Sequence, residues 1–329
     1  MTGNTLGWVI VAFVLYLLMM IAIGAFYAKG NNNSEDYFLG GRKLNGFVAA
    51  LSAQASDMSG WLLMGLPGAI YLTGVGGDGW IAIGLFIGTT LNWLFIATKL
   101  RRYTIRANNS VTLPTYFENR FHDEKKVLMT VSSITIVVFF LVYCASALSA
   151  GGQLFESVFG IDYHVALTIG ALVVLVYTFL GGFTAVCVTD FIQGMLMLVG
   201  ILAVPLFAYH FLTTGGTTLS AGLEASGADS ANFLNLMKNG DGSNNIISVI
   251  SGLGWGLGYF GMPHILVRFM AVRDEKEMTK SKATAISWVA LSLGFAVFIG
   301  ILGRAYLPEL VNGNNEKVFI EMIKKVFTV

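Results

Sequence analysis

The sequence predicts an all-α integral membrane protein, and three features of its composition and pattern support this fold class. Of the 329 residues, 55% are hydrophobic and only 12% are charged, whereas soluble domains carry about 25% charged residues. Apolar stretches of about twenty residues recur along the chain, and a helix of that length crosses a bilayer. The alternating ten-residue segments that are typical of membrane β-barrels do not occur in the sequence.

Hydropathy divides the chain into eight candidate spans. The first has no basic leader and is long for a signal sequence, so we expect it to be retained. Residues 214–245 are rich in Gly, Ser, Asn and Asp and predict a surface loop without a core of its own. Residues 316–329 place six apolar side chains on one helical face and predict an amphipathic helix against the outer surface. The predicted spans are 8–28, 46–73, 79–99, 127–154, 163–182, 185–213, 246–270 and 284–307.

The distribution of positive charge predicts how these spans are oriented. Fifteen of the twenty Lys and Arg residues lie in the segments 29–43, 99–126 and 268–282, which alternate spans place on one side. Loops rich in Lys and Arg remain in the cytoplasm. We therefore expect the N-terminus, and the exit of the eighth span, to lie outside.

Charge and motif content exclude several classes of function. The formal net charge of +1 gives no reason to expect a nucleic-acid partner. The two cysteines and four histidines have neither a disulfide framework nor the spacing of metal ligands. A Walker loop and the HExxH, GxSxG and dinucleotide-binding motifs are absent from the sequence. We therefore expect neither an enzyme nor a cofactor, and no ATP-driven transport.

Two spans are interrupted by residues that disfavour a helix. Span 46–73 is some eight residues longer than a straight crossing needs, and its middle contains Asp57 and Gly60 among several serines. The seventh span contains SGLGWGLGYFGMPH (251–264), with five glycines and Pro263. Glycine lowers helix stability by about 1 kcal/mol and proline by about 3. Main-chain N–H and C=O groups that lose their helical hydrogen bonds are tolerated in a membrane only where protein or a water-filled cavity provides new hydrogen-bond partners.

The positions of the interrupted spans predict an inverted-repeat transporter, because such a pair marks the binding site in that architecture. If the first span is an extra helix, the interrupted spans each open a repeat. We therefore predict a single transmembrane domain, 1–329, which comprises an extra helix at 8–28, a five-helix repeat at 46–213, the first two helices of a second repeat at 246–307, and the amphipathic helix at 316–329. The alternative for each interruption is close helix packing through small residues.

Two carboxylates and a pair of aromatic residues are candidate functional groups. Asp57 near mid-membrane costs about 2.5–3.5 kcal/mol on insertion scales, so a functional role is the default; its alternative is a hydrogen-bond partner for broken main chain. Asp190 lies nearer a helix end, and function and structure remain equally open for it. Trp255 and Tyr259 share a helical face and either pack, form an interface belt or shape a small cavity.

The first interruption also offers ligands for a small hard cation. Such ions take oxygen ligands, including main-chain carbonyls of unwound helix. The predicted break at 55–59 provides those carbonyls, together with the hydroxyls of Ser56 and Ser59. A Na⁺ site at this break is therefore a hypothesis that the residues support.

Four segments resemble the sodium/solute symporter family. The resemblance implies a LeuT-type inverted-repeat fold of thirteen helices with the N-terminus outside. It also implies secondary active transport, in which Na⁺ carries L-proline inward across a bacterial plasma membrane. The segments are SEDYFLGGRKLNGFVAALSAQASDMSGWLLMGLPGAIY (34–71), TLPTYFENRF (112–121), GGQLFESVFGIDYHVALTIGALVVLVYTFLGGFTAVCVTDFIQ (151–193) and GWGLGYFGMPHILVRFMA (254–271).

The resemblance also implies roles for individual residues. Ala55 and Met58 would give main-chain carbonyls to Na⁺. Asp57 would be required for Na⁺-coupled function, and Asp190 would act near the ion pathway on the cytoplasmic side. The residues that would bind the substrate are Ser59, Gly60, Tyr143, Trp255, Tyr259 and Pro263.

The resemblance further implies that the chain stops before a ninth helix, whose hydroxyls would complete the cation site. We therefore expect a fold truncated to about eight transmembrane helices, and no transport by these 329 residues alone. Three alternatives remain open. The solute is another amino acid, a sugar or a carboxylate such as pantothenate; the chain is a membrane sensor built on the same fold; or it is a passive channel, which would conduct without saturating.

Overall fold

The computed structural model describes residues 3–312 and 314–327, and its regular structure is helical. Residues 328 and 329, the end of the predicted amphipathic helix, lie outside this description. The helices are α1 (Gly3–Ala28), α2 (Ser34–Leu39), α3 (Gly46–Met58), α4 (Gly65–Thr73), α5 (Val75–Leu91), α6 (Thr98–Arg106), α7 (Leu113–Phe121), α8 (Val127–Phe159), α9 (Tyr163–Thr214), α10 (Leu219–Ala225), α11 (Ser230–Phe233), α12 (Ile246–Trp255), α13 (Pro263–Ala271), α14 (Glu275–Tyr306) and α15 (Val318–Phe327).

Five described helices are long and apolar enough to cross a membrane, and a bent pair makes a sixth candidate. The bent pair joins Ile246–Phe260 to Pro263–Ala271 at an angle of 45°. Helix α9 has 52 residues, about twice what one crossing needs. Within it, Gly182 leaves the helical region with φ 61° and ψ −158°. The predicted spans 163–182 and 185–213 therefore meet at a glycine, without a loop between them.

The chain divides into two compact units. The first comprises Met1–Asp57, Trp93–Gly194 and Met262–Thr284, and the second Met58–Asn92, Met195–Gly261 and Ala285–Val329.

In the first unit, the start of α3 is bonded to the segment that follows α13. Leu44 donates its N–H to the carbonyl of Ala271 over 3.1 Å, and accepts from Arg273 over 3.0 Å. The Glu277 carboxylate accepts the N–H of Gly46 at 2.7 Å. A carboxylate at this end of α3 satisfies an orphan donor and suits the positive end of the helix dipole.

Arg42 connects three further segments of the first unit. Its guanidinium donates to the Asn109 side chain, the Thr104 hydroxyl and the carbonyls of Met270 and Ser110. Burial lowers the pKa of Arg42, and the nearby Glu35 opposes that shift. These four hydrogen bonds therefore replace those to the water that the buried guanidinium loses.

In the second unit, residues 214–245 differ from the predicted loop without a core. Leu223 is fully buried, and Phe233 is 2% exposed. Gly240 donates its N–H to the carbonyl of Thr73 at 3.0 Å, and the buried Asn245 side chain donates to the carbonyl of Gly76 at 2.9 Å. The segment is anchored by a few apolar and main-chain contacts that its polar composition does not reveal.

The predicted C-terminal amphipathic helix is present as α15. Its Val318, Phe319 and Met322 side chains are buried within the second unit. Gly303 of α14 makes room for this helix, because a Cβ built there would lie 2.2 Å from a methyl carbon of Val318. The apolar face therefore packs against protein.

Candidate ion and substrate site

The first interruption begins at Ser59. Helix α3 remains regular through Met58, Ser59 then takes φ 46° and ψ −154°, and a 3₁₀ turn follows at Gly60–Leu62. A left-handed φ at a non-glycine residue ends the helix. The break thus occupies 59–64 rather than the predicted 55–59, since 55–58 form the last helical turn.

The last turn of α3 carries the two carbonyls assigned to Na⁺, those of Ala55 and Met58. Carbonyls in the last turn of a helix lack intrahelical partners and attract cations. The hydroxyl of Ser56, by contrast, donates to the carbonyl of Ser52 at 2.7 Å. Its hydrogen is therefore engaged within the helix, whereas its oxygen keeps the lone pairs that a cation site uses, and a Ser56 ligand stays a prediction.

Tyr143 of α8 contacts this same turn. Its hydroxyl donates to the carbonyl of Ser56 at 3.0 Å and lies 3.5 Å from that of Asp57. The resemblance implied that Tyr143 approaches the substrate. Within the first unit its polar group binds the main chain at the helix end.

Asp57 faces a histidine that the sequence argument left unassigned. Its Oδ1 atom lies 3.5 Å from Nε2 of His264, and the two side chains are 9% and 11% exposed. The His264 ring stacks on Tyr143 with centroids 5.5 Å apart. Neither ring nitrogen has a hydrogen-bond partner among the described residues. His264 directly follows Pro263, so its position after the second break was the available signal.

Asp190 belongs to a buried polar triad of the first unit. Its Oδ2 atom accepts from the Ser52 hydroxyl at 2.7 Å and from Arg268 Nη2 at 2.8 Å. Arg268 Nε also donates to the Ser52 hydroxyl at 2.9 Å. Asp190 and Arg268 are 7% and 5% exposed. The Arg268 guanidinium thus neutralises the Asp190 carboxylate. In the sequence, Arg268 was visible only as a single charge within the apolar run of α13.

The second interruption lies within the predicted segment 251–264. Helix α12 ends at Trp255, a 3₁₀ turn covers Gly256–Phe260, and Pro263 opens α13 at a position where its missing N–H costs nothing. Tyr259 is 4% exposed, and its carbonyl accepts from Asn92 Nδ2 at 2.8 Å.

In the second unit, Trp61 stacks on Trp255. The ring centroids are 5.8 Å apart and the planes are inclined by 19°. Trp61 follows Ser59 and Gly60, two residues assigned to the substrate, and Trp255 is 50% exposed. Sequence reasoning missed Trp61, although an aromatic residue directly after the helix-breaking pair was a usable signal.

A cavity of about 630 Å³ lies within the first unit. Its lining includes Pro263, His264 and Arg268 of α13 and Phe140 of α8. The lining is mostly apolar, with the guanidinium of Arg268, which is paired with Asp190, on one wall.

The predicted site residues are distributed over both units. The first unit holds Ala55, Asp57, Tyr143, Asp190 and Pro263, and the second holds Met58, Ser59, Gly60, Trp255 and Tyr259. Within the first unit the structure brings Tyr143 to the main chain of Ser56 and Asp57, and it pairs Asp190 with Arg268.

The main-chain carbonyls of the last turn of α3 are oxygen ligands of the type that alkali cations take at interrupted helices. Among residues 3–312 and 314–327, no three His, Cys, Asp or Glu side chains gather into a metal-binding group. A transition-metal site of the usual side-chain type therefore has no counterpart in the described part of the chain.

Comparison with known proteins gives one family and one fold. Residues 37–329 match the model of the sodium:solute symporter family. The chain is 44% identical to sodium/proline symporters of Salmonella typhimurium and Escherichia coli and 45% identical to that of Haemophilus influenzae. Each alignment covers 97% of this chain and 63% of the relative. The chain thus spans less than two thirds of the relatives' length.

A solved structure extends the likeness to the fold. The chain resembles the substrate-bound, outward-open state of a Na⁺-coupled sialic acid symporter with a TM-score of 0.76 at 20% identity. The match covers 95% of this chain and 65% of that one. It confirms the predicted all-α, LeuT-type fold, and the family match identifies a multi-pass membrane protein of a transporter family.

Proposed function

The chain belongs to the sodium:solute symporter family, and we propose that it takes part in Na⁺-coupled uptake of L-proline. The observation that carries this proposal is the 44–45% identity to sodium/proline symporters over 97% of the chain. The two interrupted helices support it, because both contain main chain that a transported ion or solute would satisfy.

For the ion, we assign the end of α3. The carbonyls of Ala55 and Met58 would hold Na⁺, and Asp57 would supply the negative charge that compensates the cation. The dipole of α3 acts in the same direction, since its C-terminal end carries partial negative charge. Asp190 would act on the ion pathway through its ion pair with Arg268.

For L-proline, we match the chemical groups of the solute to features of the two breaks. The N-terminal end of α13, at Pro263, carries partial positive charge, which suits a carboxylate. The aromatic faces of Trp255 and Tyr259 suit the apolar ring. Ser59 and Gly60 would contact the solute beside the first break, and Tyr143 would act through the end of α3.

Coupling between ion and solute follows from thermodynamic linkage. If bound Na⁺ raises the affinity for L-proline by some factor, then L-proline raises the affinity for Na⁺ by the same factor. We further propose a bacterial plasma membrane as the location, with the N-terminus outside, since the Lys and Arg residues concentrate in the loops assigned to the cytoplasm.

The test is uptake of radiolabelled L-proline by the complete reading frame that contains these residues, purified into proteoliposomes. We expect saturable uptake that follows an inward Na⁺ gradient. Proline uptake that is indifferent to Na⁺ would contradict the proposal. Competition by another amino acid, a sugar or a carboxylate would reassign the solute, uptake without saturation would indicate a channel, and binding without uptake would indicate a sensor.

A further inference from the structure

We propose that Asn92, at the end of α5, is a positioning residue that holds the second break at Tyr259 and thereby sets the affinity for the solute. The inference rests on the proposed function, because it concerns the site that would bind L-proline. We assign Asn92 no contact with the solute. It acts through the main chain of Tyr259.

The Asn92 side chain is buried and makes one defined contact. It is 1% exposed, and its Nδ2 atom donates to the carbonyl of Tyr259 at 2.8 Å. Its Oδ1 atom is buried and has no hydrogen-bond partner among the described residues. The bond to Tyr259 is thus what orients the amide, and a buried amide that bonds at one end only is placed to serve the carbonyl.

Helix α5 brings Asn92 to this carbonyl through a row of residues spaced by four. Gly84, Gly88 and Asn92 share one helical face. A Cβ built on Gly84 would lie 2.2 Å from the carbonyl oxygen of Gly252, and one built on Gly88 would lie 2.2 Å from that of Gly256. The main chains of α5 and the second interrupted span therefore touch along this row, which ends at Asn92.

The row ends where regular bonding ceases in both segments. Asn92 opens a π-helical stretch, Asn92–Ala97, and Gly256–Phe260 is a 3₁₀ turn. Short π segments interrupt α-helices frequently at functional sites. A break frees carbonyls that a membrane interior does not solvate. Asn92 donates to the carbonyl of Tyr259, and so fixes the backbone that carries the Tyr259 ring.

The experiment compares Asn92→Ala and Asn92→Ser with the control Thr89→Val in the complete reading frame. Thr89 is 1% exposed, and its buried hydroxyl has no partner in the described residues. We expect the apparent KM for L-proline to rise roughly five- to tenfold in both Asn92 variants, the effect of one buried hydrogen bond. Vmax per molecule of protein in the membrane, measured by quantitative blotting, stays at the wild-type value, and Thr89→Val keeps the wild-type KM.

A second readout does not depend on transport. In a background in which every native cysteine of the complete reading frame, including Cys144 and Cys187, is replaced by Ser, a Tyr259→Cys variant reports access to the break through its alkylation by a membrane-permeant maleimide. We expect faster alkylation when Asn92→Ala is added, and no change when Thr89→Val is added.

An unchanged KM with unchanged alkylation overturns the inference. So does loss of both Asn92 variants from the membrane, since that would assign Asn92 to stability of the whole fold. A wild-type protein without Na⁺-dependent proline uptake would instead contradict the proposed function, and alkylation alone would then decide the role of Asn92.

Discussion

The hydroxyl of Tyr143 donates a hydrogen bond of 3.0 Å to the main-chain carbonyl of Ser56, in the last turn of α3. This bond connects α8 to the helix end that carries the carbonyls of Ala55 and Met58. A side chain of α8 thus bonds to the helix end that we assign to Na⁺, and we propose an indirect role for Tyr143 in ion binding.

Removal of that hydroxyl should weaken Na⁺ activation. In Tyr143→Phe the Ser56 carbonyl loses its donor, a change worth about 0.5–1.5 kcal/mol. We expect the Na⁺ concentration for half-maximal proline uptake to rise roughly two- to tenfold, with Vmax retained. The matched control is Tyr163→Phe, whose hydroxyl bonds to Ser149 at 3.0 Å. An unaltered Na⁺ dependence in Tyr143→Phe would remove Tyr143 from the ion site.

The Asp57 carboxylate should be required for Na⁺ stimulation. Asp57→Asn keeps the shape of the side chain beside His264 but removes the charge that compensates the cation. We expect proline uptake to lose its response to a Na⁺ gradient, whereas Asp78→Asn, which changes an aspartate bonded to Thr73 at 2.9 Å, should keep it. Retained stimulation in Asp57→Asn would reassign Asp57 to stabilising the broken main chain.

The Asp190–Arg268 pair should be strongly coupled in stability. Asp190→Asn leaves Arg268 buried and uncompensated, which costs about 3–5 kcal/mol. We expect a lower midpoint of thermal aggregation in detergent for Asp190→Asn and for Arg268→Gln. The double variant should recover much of the loss, because no lone charge remains.

An exposed ion pair provides the control for these single and double variants. Arg102 and Glu275 form an ion pair whose side chains are 52% and 56% exposed, and such pairs contribute little. Glu275→Gln should therefore leave the midpoint unchanged. Additive losses in the Asp190 and Arg268 double variant would show that the two residues stabilise the protein independently.

Local features of the sequence were sufficient to predict the long apolar helices and the two breaks, but not the short helices α2, α7, α10 and α11. Hydropathy is a property of neighbouring residues, and it located every long span, including the pair that meets at Gly182. The breaks followed from glycine, proline and serine at membrane depth. The predicted start of the first break was wrong by a few residues. The chain leaves the helix at Ser59, with φ 46°, and the preceding turn is still helical.

The partners of the candidate residues were beyond local reasoning. Asp190 and Arg268 are 78 residues apart in sequence, and Trp61 and Trp255 meet only because Met58–Asn92 and Met195–Gly261 fold into the same unit. The anchoring of residues 214–245 by Phe233 and Leu223 was missed for a similar reason. Local sequence shows two apolar side chains in a polar segment, but it does not show the distant residues that bury them.

The row of small residues on α5 supports the last prediction. Gly88→Ala adds a Cβ that would lie 2.2 Å from the carbonyl oxygen of Gly256. A backbone atom does not rotate away, so α5 and the second break must separate, and overpacking of this kind costs about 1–3 kcal/mol. We expect a lower midpoint of thermal aggregation together with a raised KM for L-proline, because the separation also stretches the bond from Asn92 to Tyr259.

The control for this substitution is Gly294→Ala in α14, where a Cβ meets nothing within 4 Å. Alanine is more favourable than glycine in a helix by up to about 1 kcal/mol, so Gly294→Ala should leave the KM unchanged and keep or raise the midpoint. If Gly88→Ala behaved like Gly294→Ala, the main chains of α5 and the second break would not touch as described. A lowered midpoint with an unchanged KM would keep the contact and separate it from the position of Tyr259.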